Sequence, residues 1–407
     1  MKCGLLGRKL GHSYSPQIHS YLGNYSYTLF EKEPEELAEF LRNGDFTGIN
    51  VTMPYKQAVI PYLDELSPLA QKLGAVNTVV RTGDGRLIGH NTDYFGFVSM
   101  VERSGLCVAG KKCLVFGSGG VSKPVVAALE EMGALVTVIS HRENMPETVA
   151  RHQDAAIIVN TTPVGMYPNA PGSPVDLSPF SSLEGVLDMI FNPARTGLML
   201  QAEQRGLTAM GGLWMLVAQA KEASEWFTGN QISDGKIEKI HGILRRQMEN
   251  IVLIGMPGCG KSTIGALLSE TLDRPFVDAD ARIMELAGKP IPQIFAEDGE
   301  EVFRDWETKA LTELGQQSGL IIATGGGCVT QARNYPLLHQ NGSIFWLLRD
   351  LGQLPTEGRP LSQSNRLSDL YAQRKPQYEA FADHVIDNNG SCADTVRQIT
   401  KAREETV

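Results

Sequence analysis

The sequence predicts an α/β fold, and three observations predict it. Short apolar runs such as CGLLG, LVTVIS and IVLI alternate with amphipathic runs such as VVAALEEM and KSTIGALL, the pattern of strands that cross over through helices. The 407 residues include 42 glycines, which suits many tight strand-to-helix turns. Two glycine-rich segments of different design, GSGGVS at 117–122 and GMPGCGKST at 255–263, each follow a strand-like run and open a helical one. The length accommodates two to four domains, each with its own core.

Taken in order, residues 1–100 form a first α/β domain. Its strand-like runs are CGLLG, SYTLF, GINVT and AVNTVV, its helical ones PEELAEFLRNG and KQAVIPYLDEL, and GDG at 83–85 makes a hairpin turn. Ser15 before Pro16 reads as a helix cap. Residues 101–213 form a second, Rossmann-like domain. Here CLVFG runs into GSGG, the helix VSKPVVAALEEMG stops at Gly133, and LVTVIS, AAIIVN and GVLDMI add strands. The helical run LVAQAKEASEWF and its successor DGKIEKIHGILRRQ return to the first domain over 214–246. A third domain, 248–407, begins with the strand IVLI and reads as a P-loop domain with a parallel sheet in three α/β/α layers.

The P-loop joins a buried strand, spaced glycines, a lysine and a hydroxyl in a fixed order. Its glycines let backbone N–H groups curl around phosphate oxygens, and the following helix adds a positive dipole end. Gly255, Pro257, Gly258, Cys259, Gly260 and Thr263 are the candidate cradle; Lys261 reaches the outer phosphates, and Ser262 holds Mg²⁺. The GSGGVS turn is weaker: Gly117, Ser118, Gly119, Gly120 and Val121 fit a dinucleotide loop, but Ser122 stands where the strict pattern has Gly or Ala.

Composition excludes other classes. A net charge of −9 argues against a nucleic-acid binder, no apolar stretch spans a bilayer, and the N-terminal run lacks a signal peptide's apolar segment. Six cysteines without CxxC or metal-ligand spacing read as reduced thiols of a cytoplasmic protein.

HSYSP (12–16), NVTMPYK (50–56), AVNT (75–78), HNTDYFG (90–96), NTTPVGM (160–166), DMIFNPARTGLML (188–200) and GGLWMLVAQA (211–220) together resemble shikimate dehydrogenase, in the family's order. The resemblance implies that Lys56 is the general acid/base and Asp93 its partner. It further implies that Ser13 and Ser15 hold a carboxylate, that Thr52, Asn77, Asp93 and Gln219 contact ring hydroxyls, and that Gly212 lies at the cofactor. Hydride reduction of a ketone places negative charge on oxygen, so a donor held in place by a carboxylate is what the chemistry needs. After LVTVIS come His141 and Arg142, then Glu143. The family's arginine position is taken by His141; NADP is favoured, and NAD stays open through the acidic residue. Phe191 stands where the family often has tyrosine.

The remainder, from Asn250 onward, resembles shikimate kinase. PFVDADARI carries Asp278 and Asp280, IFAEDGEEVFRDWE carries Arg304, ATGGG carries Gly325, Gly326 and Gly327, and QRKPQYE carries Arg374. The resemblance implies that Asp278 joins Ser262 at Mg²⁺, that Asp280 orients the attacking hydroxyl, and that both arginines grip a carboxylate. It also implies that Arg359, in RPL, approaches the transferring phosphate. The run before it, LRDLGQLPTEG, is short and lacks the upstream arginine expected at adenine.

The expected protein is a bifunctional enzyme with NADP(H), ATP and Mg²⁺ as cofactors, small acids as its partners, and no nucleic acid or membrane. It would reduce 3-dehydroshikimate and phosphorylate shikimate. Two alternatives are a kinase-like domain that only senses nucleotide, and a quinate-preferring dehydrogenase that uses NAD.

Overall fold

The structure is a computed structural model describing residues 1–11, 13–140, 145–354 and 366–405. The chain divides into two compact units. The first holds 1–165, 172–191 and 198–243; the second holds 166–171, 192–197 and 244–407.

The first unit contains two sheets. Strands β1 (Lys2–Gly7), β2 (Ser26–Glu31), β3 (Gly48–Val51), β4 (Glu65–Leu66), β5 (Thr78–Arg81) and β6 (Leu87–His90) make a mixed sheet in the order β2-β1-β3-β5-β6-β4. The expected hairpin joins β5 to β6 antiparallel, with Gly85 at φ +89°, a conformation that favours glycine. The fully buried strand β3 presses Ile49 and Val51 into a core with Leu6, Tyr55 and Val79. Strands β7 (Lys112–Phe116), β8 (Leu135–Ile139), β9 (Ile157–Asn160), β10 (Gly185–Asp188) and β11 (Thr208–Gly211) make an all-parallel sheet in the order β11-β10-β9-β7-β8. The chain reverses its winding at β7, so the crevice at the end of β7, where GSGG lies, is the ligand position such sheets offer.

The second unit is built on β12 (Asn250–Ile254), β13 (Phe276–Asp278), β14 (Ile321–Ala323), β15 (Gly342–Leu348) and β16 (His384–Asp387), all parallel in the order β13-β14-β12-β15-β16. The central strand β12 is buried at every residue, as a two-sided parallel strand must be. The P-loop leaves its end.

Two local expectations fail. KQAVIPYLDEL is not a helix: it forms turns and a single 3₁₀ turn, Ile60–Tyr62, because Pro61 has no N–H to donate and its ring obstructs the preceding turn. Ser15 does not cap. It is the first residue of the helix Ser15–Leu22, and its backbone N–H donates to the Ser13 hydroxyl at 3.2 Å.

Candidate active sites

A cavity of about 330 Å³ in the first unit brings together Ser13, Ser15, Thr52, Lys56, Asn77, Asp93, Gly212 and Gln219, with Val121, Met189 and Phe191 on the side of the parallel sheet. Lys56 Nζ donates to Asp93 Oδ2 at 2.6 Å, and both side chains are largely buried. Each partner is held by its own element. The Lys56 carbonyl accepts from Val76 N at 2.7 Å, and Asp93 opens the helix Asp93–Ser104, where the positive dipole end favours a carboxylate. Asn77 Oδ1 accepts from Thr92 N at 2.7 Å, while its amide donates to Thr92 Oγ1 at 3.0 Å. Gln219, on the helix Leu213–Thr228, donates to Leu216 O and accepts from Thr92 Oγ1 at 3.4 Å. The ring of Phe191 meets Tyr14 edge-on, with centroids 6.1 Å apart.

The glycine turn borders this cavity at Val121. Gly117 has φ +109°, and a Cβ there would lie 2.6 Å from Thr161 Oγ1; a Cβ on Gly119 or Gly120 would meet nothing. That leaves bare backbone facing open space, as close approach to a pyrophosphate requires. Ser122 is buried as the first residue of the helix Ser122–Glu131, so a small hydroxyl replaces the third glycine without opening the turn. A Cβ on Gly212 would lie 2.2 Å from Met189 O, so this position needs glycine. Ser118 lies in the same turn. His141 and Arg142 lie outside the described residues.

The second unit has a cavity of about 500 Å³. It is lined by the P-loop (Pro257, Gly258, Gly260, Lys261, Ser262, Thr263) and by Asp278, Asp280, Arg304, Glu307, Gly325, Gly326, Gly327 and Arg374. Gly255, Gly258 and Gly260 have φ of +144°, +84° and +100°. Cys259 is buried inside the loop. Lys261 opens the helix Lys261–Leu272, and its Nζ donates to Gly255 O at 2.9 Å and Met256 O at 3.1 Å. Ser262 Oγ donates to Asp278 Oδ2 at 2.7 Å. Asp278 caps the helix Ala279–Ala287 by accepting from Asp280 N at 2.9 Å, which turns Asp280 into the cavity. Ser262 and Asp278 present hard oxygens at the foot of the P-loop, a donor set that suits Mg²⁺ shared with phosphates. Among the described residues, no group of three or more His, Cys, Asp or Glu could hold a metal.

A side chain on the glycine run would displace its neighbours, and at Gly326 the neighbour is a rigid proline ring. A Cβ on Gly325 would lie 2.9 Å from Asp280 Oδ1, on Gly326 2.7 Å from the Pro257 ring, and on Gly327 2.6 Å from the Arg304 guanidinium. The Gly326 carbonyl accepts from Arg374 Nη1 at 3.1 Å and from the Tyr378 hydroxyl at 2.6 Å. Arg304 forms ion pairs with Glu307 at 2.9 Å and Glu300 at 3.0 Å. Burial pushes the Glu307 carboxyl above its usual range, against the pull of Arg304. Sequence reasoning missed Glu307 and Tyr378, although both sit within the quoted segments at helical spacing from Arg304 and Arg374. Arg359 lies outside the described residues.

A parallel sheet with a glycine turn at its winding reversal and a lysine–aspartate pair in the adjoining cavity defines a dinucleotide-dependent oxidoreductase class. The P-loop with its facing arginines defines a phosphotransferase class. Residues 5–79 match the family model for the shikimate dehydrogenase substrate-binding domain, and residues 257–404 match that for shikimate kinase. The shikimate dehydrogenase (NADP(+)) of Clostridium perfringens is 34% identical over 266 residues, covering 60% of this chain and 97% of the relative. The chain therefore belongs to the shikimate dehydrogenase family and carries, in addition, a shikimate kinase domain. Among solved structures, shikimate 5-dehydrogenase from Thermus thermophilus in complex with NADP(H) and shikimate matches at 30% identity and TM-score 0.53, covering 59% of this chain and 98% of its own. Quinate dehydrogenase from Corynebacterium glutamicum in complex with NAD matches at 28% and 0.53, covering 60% and 98%.

Proposed function

We propose that the first unit reduces 3-dehydroshikimate to shikimate with NADPH and that the second phosphorylates the 3-hydroxyl of shikimate with MgATP, two consecutive steps on one acid. The observation that carries this reading is the pairing, in one chain, of the Lys56–Asp93 cavity with the Asp280–Arg304–Arg374 cavity beside a P-loop. Domain limits of 1–100 with 214–246, 101–213 and 248–407 belong to this reading.

NADPH, when bound, supplies the hydride, and MgATP supplies the phosphoryl group. Lys56, oriented by its ion pair with Asp93, donates a proton to the carbonyl oxygen as it gains negative charge. Ser13 and Ser15 hold the carboxylate, and Thr52, Asn77, Asp93 and Gln219 read the ring hydroxyls. In the second unit, Arg304 and Arg374 grip the carboxylate with forked donors. Asp280 orients the 3-hydroxyl and takes up its proton, Lys261 neutralises phosphate charge, and Ser262 with Asp278 holds Mg²⁺. The six cysteines are all unpaired and no described helix is long and apolar enough to cross a membrane, which supports placing the reactions in the cytoplasm.

The test is a coupled assay from 3-dehydroshikimate, NADPH and ATP; absence of shikimate 3-phosphate would sink the reading. The similarity to an NAD-bound quinate dehydrogenase favours one rival, a quinate-preferring enzyme. Oxidation rates of shikimate and quinate with NADP and NAD separate the two.

A further inference from the structure

We propose that Tyr27, on strand β2, is a positioning residue for the first cavity, whose hydroxyl holds Ser15 and Asn50 in place along its wall and, through Asn50, steadies Asn77. The inference rests on the dehydrogenase reading above and concerns a residue outside all seven sequence segments that carry it.

The phenol is partly buried. Its ring lies flat on His19, with centroids 4.0 Å apart and planes 11° from parallel. Its hydroxyl donates to Asn50 Oδ1 at 2.7 Å, and the Ser15 side chain hydrogen-bonds the same phenol. Burial holds the group well above a phenol's ordinary pKa, so it stays a donor. One hydroxyl thus joins two residues that line the cavity, Ser15 from the first helix and Asn50 from β3.

The contacts continue from Asn50. With its oxygen engaged by Tyr27, Asn50 must present its amide nitrogen to Thr78 Oγ1 at 3.2 Å and to Asn77 O at 3.5 Å. Thr78 then donates to Asn77 Oδ1 at 3.1 Å, which also accepts from Thr92 N. That leaves the Asn77 amide nitrogen as donor. An asparagine amide is nearly symmetric in shape, so only its partners decide which end faces a ligand. Thr92 N, which can only donate, and the Asn77 carbonyl, which can only accept, set the direction of this relay; Tyr27 anchors its outer end by holding Asn50 in place, and buried networks of this kind couple their members.

The experiment is steady-state kinetics of Tyr27→Phe in the full chain, with the chain's own kinase reaction as internal control. The variant is expected to raise KM for shikimate oxidation about tenfold, the loss of roughly one buried hydrogen bond's orientation. KM for NADP and the phosphorylation rate stay unchanged. In an Asn77→Ala background the same change adds less than about twofold, because coupled residues are not additive. Thr78→Val, which cuts the relay beyond Asn50, gives the same pattern and decides the matter if Tyr27→Phe misfolds. An unchanged KM for shikimate in both variants, or full additivity with Asn77→Ala, overturns the relay. If the unsubstituted chain oxidises no shikimate, the dehydrogenase reading falls with it; if it does, only the relay is at stake.

Discussion

The first cavity contains one ion pair surrounded by neutral donors, whereas the second holds a lysine, two arginines and three carboxylates around a glycine run. Both are proposed to bind the same small carboxylic acid. The difference follows from what each reaction does with charge. Hydride transfer creates a single alkoxide, which one oriented ammonium can neutralise as it forms. Phosphoryl transfer gathers a triphosphate, a metal and a carboxylate in one place, and needs fixed countercharges throughout.

The largest predicted effect tests whether the two charge sets act separately. Lys261→Ala should cut phosphorylation by about 10³-fold, the scale of losing a preorganised charge at developing phosphate charge, and leave reduction intact. Lys56→Ala should cut reduction by about 10²- to 10⁴-fold and leave phosphorylation intact. Separate assays of the two reactions on each folded variant check this; loss of both from either change would break the comparison.

Next comes Arg304→Ala. Glu307 is almost fully buried, and removing its partner strands a carboxylate whose other oxygen already has no hydrogen-bond partner. Breaking such a pair costs about 3–5 kcal/mol, so the second unit should unfold at markedly lower denaturant concentration. Glu307→Gln in the same background should recover part of that loss. No recovery would mean that the arginine stabilises by packing on Phe303, over whose ring it lies at 5.1 Å, rather than by pairing.

How much of this was legible in the sequence depends on distance along the chain. The P-loop, the glycine turn and the strands beside them could be read because a loop, its strand and its helix are contiguous. Lys56 and Asp93 required a resemblance, since nothing in either segment says that Nζ and Oδ2 meet. KQAVIPYLDEL misled because Val59, Ile60 and Leu63 have helical spacing, while Pro61 vetoes the helix. Tyr27 acts only through partners distant in sequence and no local pattern marks it, whereas Asn50 and Tyr378 lie inside segments that could be read but take their roles from contacts that could not.

Acid exposes a further asymmetry. Burial lowers His19 to about 3 and His90 to about 4, from an ordinary value of 6.5, so both are neutral in the folded first unit. A base with a depressed folded pKa binds fewer protons than its unfolded form between the two values. Stability is therefore fully present above pH 6.5 and is lost as pH falls toward about 4 and then about 3, by up to about 1.4 kcal/mol per pH unit for each histidine. Urea midpoints of the first unit should fall between pH 7 and pH 5, and His19→Gln should flatten that slope. A pH-independent midpoint over this range would rule out neutral burial.

The smallest effect bears most directly on the contrast in carboxylate grip. Ser15→Ala removes one neutral hydroxyl from the first cavity, a change of about 1 kcal/mol and so about fivefold in KM for shikimate. Arg374→Ala removes a charged donor from the second, where hydrogen bonds to charged groups contribute about 1.5–3 kcal/mol and KM should rise at least tenfold. Arg374 also holds the Gly326 carbonyl, so its loss should lower the phosphorylation rate as well, while Ser15→Ala should leave the rate of the reduction step nearly unchanged. If the serine proved as costly as the arginine, neutral donors in a closed cavity would be gripping the acid as firmly as a guanidinium does. The difference in charge between the two cavities would then have to be assigned wholly to the phosphates.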